Sequence, residues 1–388
     1  MNGSGEGMKK HPLSPSAPLL LIIFFLIFPL ISPYAASEWS EWRGSADHSG
    51  VGNEVGPSSV QLIWRYQTSD QVQSSPVFYS GRMYIGSDDG NIYCLDPEIG
   101  ELLWKYKTGG AVEATPLIHS GRLFVGSADG NLYCLTLPGE GERAAALSWN
   151  FSTGSSILSS AHLYRSSVIF GCHDGYLYRV STGGRLIWRV RVGDEIWATP
   201  LIDTEGGRAF IGDIGGRFVS VDLETGRILW ERDLTEIYSS GTLSEGYIYI
   251  PGGESEILYC LNAENGSTVW EFDIGHPSYS TPVVYDGYLY FGSWEMLWCV
   301  PAEDPNGDGR IAADEVVWSF PTHDYQGGSS PLVTEEAVYI GSDNWNLYSV
   351  GRRNGSLIWN FSARGYIYSS PAIYRGRIYF GSSDRGVY

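Results

Sequence analysis

The segment DPNGDGRIAADE, residues 304 to 315, sets oxygen donors at the spacing that a calcium ion requires. Asp304, Asn306 and Asp308 offer side-chain oxygens at loop positions 1, 3 and 5, and Gly309 allows the sharp turn at position 6. Arg310 would contribute its backbone carbonyl at position 7, Ile311 is the apolar residue at position 8, and Glu315 is the bidentate carboxylate at position 12. Three carboxylates so close repel one another, and a divalent cation removes that cost. The alternative is an Asp/Asn/Gly-rich turn without metal. The flanks, MLWCVPA and VVWSFPT, are short apolar and aromatic runs that read as strands. A loop between strands has no helix pair to swing, so calcium is expected here as a staple rather than a signal.

Little else in the chain is arranged for chemistry. There is no H-E-x-x-H, no G-x-S-x-G and no Gly-rich phosphate loop, and the seven His are scattered. Carboxylates are abundant, but their spacing singles out no glycosidase-like pair. Cys94, Cys134, Cys260 and Cys299 stand at equivalent places in YCL or WCV and are expected as buried thiols, with Cys172, in GCHDG, as a turn variant, a metal site with His173 being the alternative. Sequons occur at Asn150, Asn265, Asn354 and Asn360.

Elements that would hold the loop follow from composition and repetition. The 388 residues include 49 Gly, 26 Tyr and 14 Trp, which suits an all-β chain of aromatic strands and tight turns. A net charge of −19 opposes nucleic acid and anionic membrane surfaces. At the N-terminus, Lys9 and Lys10 precede the apolar run Leu19 to Ile31 and the small residues Ala35 to Ser37, the order of a secretory signal over 1–36. The run is short for a membrane helix, the uncleaved anchor being the alternative, and no Cys near the expected cleavage point offers a lipid site. Residues 37–60 form a leader, and 61–388 the repeats with the 304–315 insertion.

Eight copies of one pattern fill the remainder, marked at Pro76, Pro116, Ala161, Pro200, Gly241, Pro282, Pro331 and Pro371. Each predicts four short strands, as in VFY, RMYIGS, NIYCL and LLWKYK, parted by turns such as Ser80-Gly81 and Asp89-Gly90. A four-stranded sheet cannot hide both faces alone, so the copies should stack radially as a β-propeller; a linear β-solenoid would use shorter repeats and need caps. A Trp recurs in each outer strand, at Trp64, Trp104, Trp149, Trp188, Trp230, Trp270, Trp318 and Trp359. The first precedes every triplet and the last copy has no outer strand. The expectation is therefore eight four-stranded antiparallel blades, with the N-terminal strand completing the last blade and closing the ring.

The pattern S-S-P, Y-x-G-S-x-D-G-x-L-Y-x-L, T-G and W resembles the pyrroloquinoline quinone-like (PQQ-like) repeat, from about Trp39 to the end. EWRGSADHSGVG, residues 41 to 52, resembles the leader that often precedes such repeats. The resemblance implies that the eight Trp dock between neighbouring blades. It extends to quinoprotein alcohol dehydrogenases, whose adjacent Cys pair is missing here, and to the propeller that scaffolds outer-membrane β-barrel assembly. The reading is a secreted, cell-surface or envelope propeller, monomeric, that binds a protein partner without catalysis, holds one structural calcium and takes no PQQ. The competing reading is a quinoprotein or hydrolase using the central funnel.

Overall fold

The computed structural model describes residues 1–3, 5, 39–139, 143–322 and 328–388. The chain divides into units 1–35 and 36–388, and the account below concerns the second. Most of the secretory signal expected over 1–36 lies outside the described residues.

Strand and turn chemistry can be read in the first repeat. Its strands are Val77–Tyr79, Arg82–Gly86, Asn91–Leu95 and Leu102–Lys107, paired antiparallel in that order. The inner three are buried on both faces and so read as continuous apolar runs, whereas the outer strand alternates, with Trp104 buried and Lys105 exposed. Asp89 and Tyr93 explain the D-G-x-x-Y signature. Asp89 caps its own turn by accepting the Asn91 N–H at 2.9 Å and receives the Tyr93 hydroxyl at 2.5 Å. The same carboxylate-to-tyrosine bond recurs from Tyr133 to Asp129, from Tyr178 to Asp174 and from Tyr388 to Asp384. Burial opposes ionisation of Asp89, yet these donors hold it below the usual carboxylate range.

First strands of successive repeats adjoin, so they line a central channel, and the apolar core lies between neighbouring sheets. Phe124 and Leu132 of one repeat, for example, share a cluster with Phe170 and Val180 of the next. Sheet is joined to sheet at the channel by the last hydroxyl of each triplet. The backbone N–H of Ser75 donates to Thr115, Thr115 to Ser160, Ser160 to Thr199 and Thr199 to Ser240, each to the side-chain oxygen. The chain of bonds continues from Ser240 to Thr281, Ser330 and Ser370, and the N–H of Ser370 donates to the hydroxyl of Ser75. Hydroxyls are therefore required at positions about 40 residues apart, because each satisfies a buried donor of the preceding repeat. Ser240→Ala strands the Thr199 N–H, and we expect a loss of about 1–3 kcal/mol in urea unfolding; an unchanged midpoint would mean that water replaces the bond.

Blade number departs from expectation. Seven repeats form sheets of four or more strands, but the eighth does not form a four-stranded blade. Its strands Ala372–Tyr374 and Arg377–Tyr379 make one two-stranded ladder, and Tyr66–Gln67 pairs with Gly386–Val387 in another. A single bridge, Gly381 to Val387, connects them. The cause is the short ladder at Gly386–Val387, which leaves a cleft of about 210 Å³ lined by Leu62 to Trp64 on one side and Arg377 to Phe380 on the other. The expected eight blades, closed through a completed last blade, are thereby corrected: among the described residues seven blades form, six of four strands and one of five, and the N-terminal strand adds only its two-residue ladder.

Leader residues 39–54 are not a loose lead-in. The N–H groups of Phe78 and Ile118 donate to Trp39 and Ser40, those of Ile202 and Leu243 to Ala46 and Asp47, and Val333 exchanges bonds with Gly50 and Gly52. Arg43, almost fully buried, donates from Nη2 to the Pro282 carbonyl at 3.0 Å, and Glu54 accepts the Gly376 N–H at 2.7 Å. The third repeat is reached through imidazoles: His48 Nε2 lies 2.9 Å from His162 Nε2, and His162 Nδ1 lies 2.7 Å from Glu41. Burial, with His162 as the next cause, holds His48 well below the usual imidazole range, so it is neutral and donates from Nδ1 to the Gly241 carbonyl. The leader thus touches every repeat and lies across the channel.

Candidate functional site in the central channel

One residue precedes the hydroxyl triplet in every repeat: Gln73, Glu113, Leu158, Trp197, Tyr238, Tyr279, Gly328 and Tyr368. Unlike the triplet, this position does not repeat, and several of its occupants line a cavity of about 420 Å³ with Trp42 of the leader. Trp197, Tyr238 and Tyr279 form a continuous aromatic wall, with ring centroids 6.5 and 5.2 Å apart and edge-to-face angles of 65° and 86°. The His173 ring lies 4.6 Å from that of Trp197, tilted by 34°.

Acidic groups surround this wall. Trp197 Nε1 donates to Glu195 at 3.3 Å, and the Tyr279 hydroxyl donates to Glu254 at 2.7 Å. Burial, then the charges of Glu236, Glu254 and Glu195, raises the Tyr238 phenol. Glu113 is pushed up to about 7, first by burial and then by Asp88, whose carboxylate receives the Gln73 amide at 2.8 Å. Sequence reasoning missed these residues because it searched for recurrence; their signal is the variation at the position before each triplet.

The 304–315 loop lies elsewhere, between strands Met296–Pro301 and Trp318–Pro321. Asp304 accepts the N–H groups of Asn306, Gly307 and Gly309 at 2.7–3.2 Å, Asn306 accepts that of Asp308, and Asp308 that of Arg310. Glu315 accepts the Asn306 amide at 3.0 Å and the Ala312 N–H at 2.8 Å. Desolvation opposes the charge on Asp304, but the loop N–H groups prevail and hold it below the usual range. Among the described residues, no three His, Cys, Asp or Glu side chains are gathered as metal ligands. What the loop does make is a strand. Arg310–Ile311 pairs parallel with Glu271 and Phe272 of the preceding blade, giving it a fifth strand, and Ile311 is buried in that blade's cluster with Trp270 and Phe272.

Seven of the eight Trp lie on outer strands, Trp64 just precedes the strand Tyr66–Gln67, and none lines the channel cavity. Indole N–H groups of Trp64, Trp149, Trp188, Trp230, Trp270, Trp318 and Trp359 donate at 2.8–3.2 Å to backbone carbonyls of another segment, as from Trp64 to Pro97. Trp104 Nε1 has no such acceptor among the described residues. Gly100, at φ +71°, lies flat against Trp64: a Cβ there would come within 2.5 Å of the ring. The five Cys are free and buried, and burial pushes Cys94 up to about 12. Cys172 Sγ contacts Thr153 at 3.3 Å and the Ser155 carbonyl at 3.4 Å.

Comparison with known proteins follows from this repeat. A family model described as outer membrane protein assembly factor BamB matches residues 53–272 and 307–388. The chain belongs to this family of PQQ-like repeat propellers. Its BamB relative from Yersinia pestis is 29% identical over 168 residues, 40% of this chain and 41% of the relative. A tetrathionate hydrolase from Acidithiobacillus ferrooxidans is 24% identical over 228 residues, 51% of this chain and 44% of the enzyme. The chain thus spans less than half the length of these two curated relatives. In structure, BamB from Moraxella catarrhalis superposes with a TM-score of 0.70 at 17% identity, over 85% of this chain and 98% of that one. A quinohemoprotein alcohol dehydrogenase from Comamonas testosteroni gives 0.74 at 14% identity, over 88% of this chain and 76% of that one. At such identities these superpositions speak for the propeller fold alone.

Proposed function

We propose that the protein is a binding propeller of the cell envelope, non-catalytic and stapled by one calcium ion, secreted or held at the cell surface. The observation that carries this reading is the family match over residues 53–272 and 307–388, to a model described as an assembly factor. The surface supports it. Outer strands expose pairs of aliphatic side chains, Leu102 with Leu103, Leu186 with Ile187 and Leu357 with Ile358, each more than two-fifths exposed. The insertion and the segment before Trp149 depart most from the repeat and are the loops expected to meet a protein partner.

A polycarboxylate quinone fits the channel poorly. The described residues of the cavity wall include no Lys or Arg to meet its anionic groups, Glu113 faces the same space, and the chain has no adjacent Cys pair. Calcium suits the insertion better, since Asp304, Asn306, Asp308, the Arg310 carbonyl and Glu315 would supply an all-oxygen donor set.

The test is site-specific photocrosslinking in intact envelopes, from Glu303 beside the insertion and from Arg143 before Trp149. Both are exposed. We expect both positions to trap one and the same envelope protein, while a probe at buried Val219 traps none. Absence of adducts from either loop, together with turnover of an alcohol, glycan or peptide by purified protein, would overturn the reading.

A further inference from the structure

The channel mouth combines three features that no scaffold role requires. Its aromatic wall presents Trp197, 41% exposed, beside Tyr238 and Tyr279. Carboxylates stand around that wall: Glu195 on Trp197, Glu254 on Tyr279, Glu236 near Tyr238, and Glu113 in the cavity lining. The described lining itself includes no Lys, Arg or His to neutralise Glu113; outside it, His173 Nδ1 lies 3.8 Å from Glu195. Ser239, only 5% exposed, lines the same cavity with a hydroxyl that has no hydrogen-bond partner among the described residues. A buried hydroxyl of this kind is usually completed by a ligand or a water.

Aromatic faces carry negative quadrupole density and attract cations placed over them. A concave site of one sign focuses its field and concentrates counter-ions. We propose that the channel mouth binds an organic cation, an ammonium or guanidinium group seated on the Trp197, Tyr238 and Tyr279 wall and facing Glu113. The cavity, about 420 Å³ with Trp42 among its lining residues, has room for such a group and a short stem. A free polyamine and a basic side chain on a partner protein share this chemistry. The site does not depend on whether the outer loops bind a protein.

Ligand-observed NMR on the full chain separates the sources. The probes are agmatine, a capped Gly-Gly-Arg-Gly-Gly peptide, and the same peptide with neutral citrulline in place of arginine. Both guanidinium probes should bind, with upfield ring-current shifts on the methylenes nearest the cation, and citrulline should not. Trp197→Ala should weaken binding by about tenfold. Glu113→Gln should weaken it at pH 8, where Glu113, at about 7, is ionised. If Trp197→Ala perturbs the circular dichroism, Tyr238→Leu supplies the same test. A peptide bound more tightly than agmatine points to a basic segment of a protein, and equal affinities point to a free amine. The proposal fails if the citrulline peptide binds as well, if neither cation binds at millimolar concentration, or if the folded wall variant keeps full affinity.

Discussion

Trp39→Ala is expected to cost about 3–5 kcal/mol of stability, more than any other single change proposed for this fold. Trp39 is 6% exposed and packs in the largest cluster beside residues of the first and last repeats. Gly44, at φ +77°, lies against its ring, so a Cβ there would come within 3.0 Å of it. Removing the indole leaves a cavity that the leader cannot fill, because its backbone is already tied to the repeats on either side, at Phe78, Ile118, Ile202, Leu243 and Val333. Equilibrium unfolding in guanidinium chloride, followed by fluorescence and by circular dichroism, gives the number. A loss below about 1 kcal/mol would show that the repeats hold together without the leader.

Calcium is expected to carry the second large effect. At a dissociation constant of about 10⁻⁴ M, a concentration of about 1 mM, typical outside cells, would stabilise the folded state by about 1.4 kcal/mol. Asp308→Ala should abolish that increment while leaving the β signal in circular dichroism intact. The docking of the loop explains why a local ion would be felt by the whole molecule. Ile311 is buried and Arg310–Ile311 extends the preceding blade, so ordering the loop also protects that blade's outer strand. Isothermal titration of the chelator-stripped protein reads the affinity directly; heat of binding retained in the Asp308→Ala variant would place the ion elsewhere.

Repetition made most of the architecture legible. The triplets, the D-G turns and the outer Trp stand at fixed spacing because each has the same neighbours in successive blades. Counting triplets nevertheless overstated the blades. Pro371 opens an eighth copy, but a copy becomes a sheet only if its third strand pairs along its length, and Gly386–Val387 does not. The hydroxyls of Ser75, Thr115 and their equivalents were visible, yet their purpose was not, since each partner lies about 40 residues away in the next repeat. Ile311 passed for an ordinary apolar loop residue because its parallel pairing with Phe272 is non-local. Arg43 and His48 were hidden for a related reason: a buried cation and imidazole in a polar, Gly-containing stretch look exposed until the carbonyls of Pro282 and Gly241 are brought to them. Trp197, Tyr238 and Glu113 broke the repeat, and departure from a repeat can be seen only after the repeat is aligned on its channel.

The central claim, a calcium-stapled binding propeller rather than a quinoprotein, is tested most directly by the melting temperature of chelator-stripped protein, alone, with calcium, and with calcium plus PQQ. Ligands that bind only the folded state raise it. The account predicts a rise with calcium, absent in Asp308→Ala, and no further rise with PQQ. A second, saturable rise with PQQ, accompanied by dye-linked oxidation of an alcohol or sugar, would contradict it.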